Sequence, residues 1–81
     1  MKLNVKLFAR ARDLAGAGIV AVDLPESANV GTLRQALTSQ FPGLIPIVSN
    51  LLVAVGAEYA NDETLLLPNS DVACFPPVSG G

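Results

Sequence analysis

The architecture of this chain depends on one stretch, Asp71-Val72-Ala73-Cys74-Phe75-Pro76-Pro77-Val78-Ser79-Gly80-Gly81, in which apolar residues are followed by two prolines and two glycines. The apolar part predicts a strand, with Val72 and Cys74 on one face and Phe75 on the other. Pro76 and Pro77 fix φ and lack the backbone N–H, so the strand cannot continue past Phe75. The stretch therefore predicts a folded body, a rigid exit and a pliable tip.

The tip of this tail consists of Gly80 and Gly81. Two residues without side chains can enter a slot that is too narrow for any other pair. The last chemical group is then an α-carboxylate, a plausible substrate for activation by another protein. We predict a folded domain over residues 1–75 and a flexible tail over residues 76–81, whose six residues reach about 20 Å when fully extended.

The rest of the chain predicts the other elements of a small α+β domain. Lys2–Phe8 alternates with period two, 9–17 predicts a short helical turn closed by glycine, and 19–24 predicts a second, antiparallel strand. Asn29 can cap a helix whose apolar residues recur at the spacing of one helical face as far as Phe41, and Pro42-Gly43 then ends it. The apolar run 51–55 is typical of a central strand covered on both faces, and 58–60 of a short strand.

The predicted order is strand, strand, helix, strand, short strands, strand. This is the pattern of a ubiquitin-like β-grasp, a mixed sheet with one main helix packed across it and an extended C-terminal tail. We expect the first and last strands to pair as parallel neighbours in the middle of the sheet, so that the tail leaves from a rigid element.

Composition excludes several functions. The 81 residues make one domain, and 51% of them are hydrophobic, which favours an apolar patch that faces a partner. Five Lys and Arg residues and a net charge of −2 argue against nucleic-acid binding. The apolar runs are strand-sized, so we expect no membrane span, and a lone Cys74 fits a reducing cytoplasm. No histidine is present, so we expect no metal site and no catalysis by this chain alone.

The stretch 71–81 resembles the C-terminal motif of the small subunits of molybdopterin synthase: acidic residue, strand, aromatic, Pro-Pro, Val, small residue, Gly-Gly. Leu7-Phe8-Ala9, followed by Arg12, Asp13 and Gly16, is also similar to the first strand and turn of that family. The resemblance covers essentially the whole chain.

The resemblance implies a defined role for the chain end. The Gly81 carboxylate would be adenylated by a ubiquitin-activating-like adenylyltransferase that uses ATP, and then converted to a thiocarboxylate. Inserted into the large subunit of a heterotetrameric synthase, it would donate sulfur to precursor Z and form the molybdopterin dithiolene. The chain itself would bind no cofactor, Gly80 would give steric clearance, and Phe75, Pro76, Pro77 and Val78 would contact the partner.

Other interpretations remain open at this point. The chain could be a thiamine-synthesis-type sulfur carrier, a ubiquitin-like modifier, or an interaction module without covalent chemistry. Phe75 is either a partner anchor or a core aromatic, and the resemblance favours the interface. Arg12 either pairs with acidic groups of a partner or is a solvated surface residue. Cys74 invites a persulfide role, but a buried free cysteine is usually an inert packing group.

Overall fold

A computed structural model of the chain describes residues 1–77. Its strands and helices follow the predicted order: β1 (Lys2–Leu7), α1 (Ala9–Ala15), β2 (Ile19–Asp23), α2 (Val30–Gln40), β3 (Leu52–Val55), β4 (Glu58–Tyr59) and β5 (Val72–Phe75). Two short 3₁₀ turns, Pro42–Leu44 and Val48–Asn50, connect α2 to β3. The strands form one five-stranded sheet in the order β2-β1-β5-β3-β4.

The centre of the sheet is a parallel pair formed by the first and last strands. Val5 is opposite Val72, and Leu7 is opposite Cys74. All other pairings are antiparallel: β1 with β2, β3 with β5, and β3 with β4. The predicted mixed β-grasp sheet, including its parallel central pair, is confirmed.

One face of this sheet forms the core. Alternate residues of β1 and β5 are buried, and α2 packs across them with Leu33 and Leu37 fully buried. Asn29 caps α2: its side-chain oxygen accepts from the Thr32 N–H at 2.8 Å, and the Thr32 hydroxyl accepts from the Asn29 N–H at 3.3 Å. This reciprocal pair satisfies two backbone donors at the helix start and fixes where α2 begins.

The opposite face of the sheet, called the open face below, has no helical layer among residues 1–77. The prediction that the run 51–55 is covered on both faces is therefore wrong. Val53 is buried toward α2, whereas the Leu52 side chain is 41% exposed. A continuous apolar run is consistent with two-sided burial, but here its alternate residues supply an apolar surface instead.

Two polar side chains of α2 connect it to other elements. The Arg34 guanidinium, on α2, pairs with Asp62 at 2.9 Å and donates to the Val48 carbonyl at 2.7 Å. The Gln40 amide, at the end of α2, accepts from the Asp23 N–H at 3.0 Å and donates to the Asp23 carbonyl at 2.9 Å. Within residues 1–77, no helix is both long enough and apolar enough to cross a bilayer.

Candidate functional site

The candidate site begins where β5 ends. β5 is bonded on both sides, to β1 and to β3, and its last residue, Phe75, is directly followed by Pro76 and Pro77. Pro76 is partly exposed and Pro77 is exposed. The chain therefore leaves the domain from the middle of the sheet, and the prolines prevent that strand from extending.

Phe75 lies on the open face and is not part of the core. Val72 and Cys74 are buried, whereas Ala73 and Phe75 on the other face are only partly buried. The strand alternation had predicted these two faces, but it could not say which of them was covered. The location of Phe75 is compatible with partner contact, which remains a prediction.

Phe75 has an aromatic partner that the sequence analysis missed. The ring of Phe8 stacks on the ring of Phe75, with centroids 4.8 Å apart and planes 6° from parallel. Phe8 directly follows β1, on the same side of the strand as Lys6, so its period-two position could have assigned it to the open face. Its contact with Phe75 depends on the parallel register of β1 and β5, which cannot be predicted from the local sequence.

Phe8, Leu52 and Phe75 together form an apolar surface, which we call the exit patch. Leu52 is directly opposite Phe75 in the β3–β5 pair, and Phe8 is 42% exposed. The exit patch adjoins the two prolines. It is a small apolar area that no helix of residues 1–77 covers, as expected of a surface that contacts another protein.

Polar groups lie around the exit patch. A shallow depression of about 560 Å³ beside Phe8 is lined also by Arg12, Gly18 and Ile19. Gly18 has no side chain, and a Cβ there would be 3.6 Å from the Arg12 Cδ, so the arginine lies along the Gly18 backbone. Lys6 forms an exposed ion pair with Asp71 at 3.7 Å. Arg12 is exposed, which agrees with both of the alternatives given for it above.

Cys74 is on the other side of the strand from the exit patch, and it is fully buried. Burial raises the pKa of its thiol to about 11, and the positive charge of Arg34 opposes this rise only in part. A neutral, inaccessible thiol is a poor nucleophile. The structure thus agrees with the interpretation of Cys74 as a packing group.

The predicted residues Val78, Gly80 and Gly81 lie outside the described residues. In the part of the chain that the structure describes, no group of three or more Cys, Asp or Glu residues could hold a metal ion. What residues 1–77 provide is a rigid central strand, an apolar surface at its end and a fixed exit. This arrangement can present a chain end to another protein.

Comparisons with known proteins agree with this arrangement. A family model described as the ThiS family matches residues 5–81. The chain is 37% identical to the "Molybdopterin synthase sulfur carrier subunit" of Drosophila yakuba, over 100% of this chain and 92% of that protein. It is 31% identical to the protein of the same name from Arabidopsis thaliana, over 100% of this chain and 84% of that protein. These matches confirm the resemblance that the C-terminal motif indicated.

Among solved structures, the fold is similar to SAMP1 from Haloferax volcanii, with a TM-score of 0.85 and 30% identity over 100% of both chains. Another structure of that protein is described as a small archaeal modifier protein. The likeness extends over the whole domain, so it supports the β-grasp assignment and not merely one motif.

Proposed function

The chain belongs to the ThiS family, and from that premise we propose that it is the sulfur carrier subunit of a molybdopterin synthase. The observation that carries the proposal is the full-length match to relatives named as such subunits, which includes the C-terminal motif. The sheet supports it as well, because the central strand β5 ends immediately before that motif.

The chemistry of the proposal takes place at the Gly81 carboxylate. A free α-carboxylate is ionised at neutral pH and is a poor electrophile, so it needs a leaving group before sulfur can be attached. Attack of the carboxylate on the α-phosphorus of ATP, in an adenylyltransferase, would give an acyl adenylate and release pyrophosphate. A sulfur nucleophile would then displace AMP and leave a thiocarboxylate.

The thiocarboxylate would next act in the large subunit. It would attack precursor Z there and contribute one sulfur of the dithiolene, so two carriers would be used in succession for each pterin. A nucleophile delivered on a tether has a high effective concentration at the bound substrate. This chain needs no catalytic side chain for such a reaction, and it would be non-catalytic by itself.

The large subunit would dock on the exit patch and on the chain that follows it. Phe75, Pro76, Pro77 and Val78 are the proposed contacts. Aromatic residues are frequent hot spots of protein interfaces, and an apolar patch beside the exit would align the tail as the partner binds. The same surface would serve the adenylyltransferase in turn, in the cytoplasm.

The proposal is tested by intact-mass measurement. The chain is incubated with ATP, the cognate adenylyltransferase and a sulfur donor, and its mass should rise by the difference between a sulfur and an oxygen atom. A matched variant with one residue added after Gly81 should fold but gain no sulfur. An unchanged mass of the natural chain, or loading of the extended variant, would contradict the proposal.

A second candidate is a ubiquitin-like modifier, which the similarity to SAMP1 favours. The two functions use the same activated terminus but differ in its acceptor. A carrier loses its sulfur to precursor Z and is released unchanged in sequence, whereas a modifier becomes linked to lysines of other proteins. Mass spectrometry of cell extract digested with trypsin would distinguish them, because only a modifier leaves residues 35–81 of this chain, the fragment that follows its last basic residue Arg34, joined through Gly81 to a lysine.

A further inference from the structure

The stack of Phe8 on Phe75 joins the ends of the two central strands. Leu7 is opposite Cys74 in the parallel β1–β5 pair, so Phe8 and Phe75 are the next residues along. The Phe8 N–H also donates to the Cys74 carbonyl at 3.3 Å. The ring contact is therefore the final cross-link between β1 and β5 before the chain departs.

Phe8 is held on a rigid base. Its own backbone is extended, with φ −124° and ψ 153°, and α1 begins at the next residue. That residue, Ala9, has a φ of 53°, a left-handed conformation that is uncommon and strained for alanine. The chain turns sharply there, and α1 buries Ala11 in the core. The strained turn leaves the Phe8 ring over the sheet.

The residues after Phe75 transmit its orientation. A residue that precedes proline is restricted to extended conformations, and this applies to both Phe75 and Pro76. Each proline also has a fixed φ. The segment 75–77 is thus a stiff lever that starts at Phe75. Over the roughly 7 Å that Pro76 and Pro77 span when extended, a tilt of about 10° displaces the end of the stiff segment by about 1 Å.

We propose that Phe8 is a positioning residue for sulfur transfer: its ring fixes Phe75 and so sets the direction in which Pro76 and Pro77 lead the chain toward the partner's active site. This inference rests on the proposed carrier function. A misplacement of about 1 Å can cost a reaction about a hundredfold, so loss of the stack should slow the transfer step. It should affect partner binding less, since most of the surface remains.

The test measures single-turnover sulfur transfer from the full-length thiocarboxylated chain to precursor Z in the cognate large subunit. We expect Phe8→Ala to lower the transfer rate at saturation at least about tenfold. Phe8 also belongs to the exit patch, so the half-saturating concentration of carrier should rise as well, but by no larger a factor than in Leu52→Ala. Phe8→Tyr keeps the ring and should restore the rate. Phe8→Leu keeps an apolar side chain but has no ring to stack, so its transfer rate should remain low. Because this variant keeps apolar bulk at the position, it also serves as the test if Phe8→Ala fails to fold.

Two further variants separate positioning from contact. Leu52→Ala removes a neighbouring apolar side chain of the exit patch outside the stack, and it should mainly raise the half-saturating concentration. In a chain that also carries Pro76→Ala and Pro77→Ala, the lever is already loose, so Phe8→Ala should slow transfer much less than it does alone.

The outcomes are distinct. If the effects of Phe8→Ala and the proline replacements on the rate simply multiply, or if Phe8→Ala changes only the half-saturating concentration, the positioning role is wrong while the carrier function stands. If the natural chain transfers no sulfur at all, the carrier function fails and the positioning role fails with it.

Discussion

The Cys74 thiol should be almost unreactive in the folded protein, although it is close in sequence to the terminus that we propose carries sulfur. This can be tested with a small chromogenic disulfide reagent, which reacts with the thiolate form of cysteine. Burial raises the thiol pKa from 9.0 to about 11. At about pH 8, this rise in the thiol pKa lowers the thiolate fraction about a hundredfold, before any loss of access is counted.

The assay compares labelling rates of the folded chain and of the chain in concentrated guanidinium. We expect folded Cys74 to react at least about a hundredfold more slowly than the unfolded thiol. The Cys74→Ala variant gives the background of the reagent. Equal rates in the two states would refute both the burial argument and the assignment of Cys74 as a packing group.

The same pKa shift predicts how stability depends on pH. Because the folded-state pKa lies above the unfolded value, the neutral buried thiol stabilises the fold fully below about pH 9. That stability is lost as the pH rises toward 11, and the total is on the order of 3 kcal/mol. Urea unfolding of the natural chain and of Cys74→Ala isolates this contribution, since all other groups are shared. Parallel stability profiles of the two proteins would contradict it.

Three substitutions test other parts of the structure. Phe75→Ala should weaken binding of the large subunit by about 2 kcal/mol or more, measured by calorimetry, and should reduce folding stability less, because the ring is outside the core; a larger loss of stability than of affinity would show the reverse. Asn29→Ala removes the cap of α2 and should lower the free energy of unfolding by about 0.5–2 kcal/mol, whereas an unchanged urea midpoint would argue against the capping pair. Gly43→Ala places a Cβ in collision with the Leu14 carbonyl oxygen, so the free energy of unfolding measured by thermal unfolding should fall by about 1–3 kcal/mol. An unchanged value would mean that the end of α1 can move aside at little cost.

Much of the fold could be predicted because local signals and tertiary structure agree. β1 has a clean alternation, since one of its faces is in the core and the other is not. α2 has a capping residue at its start and Pro42 after its end. The short helix α1 ends at Gly16, whose φ of 79° is the left-handed conformation expected of a closing glycine.

The site was harder to predict, because it depends on pairing between distant parts of the chain. The run 51–55 gave no sign that one face of β3 is left open, since apolar residues serve a core and an interface equally well. Phe8 and Phe75 are brought together only by the parallel register of β1 and β5. The proposed roles of Val78, Gly80 and Gly81 follow from sequence and family, and they stay predictions.

The pairing of Gln40 with Asp23 has a consequence for how copies of this protein behave together. β2 is an outer strand, and the main-chain groups of Ile19, Ala21 and Asp23 point away from β1. An unpaired outer strand is a template on which another chain can add a strand and begin aggregation. The Gln40 amide imitates a neighbouring peptide unit and occupies both groups of Asp23. Among the described residues, the template that remains on this edge extends only from Ile19 to Ala21, which should disfavour strand addition by another copy.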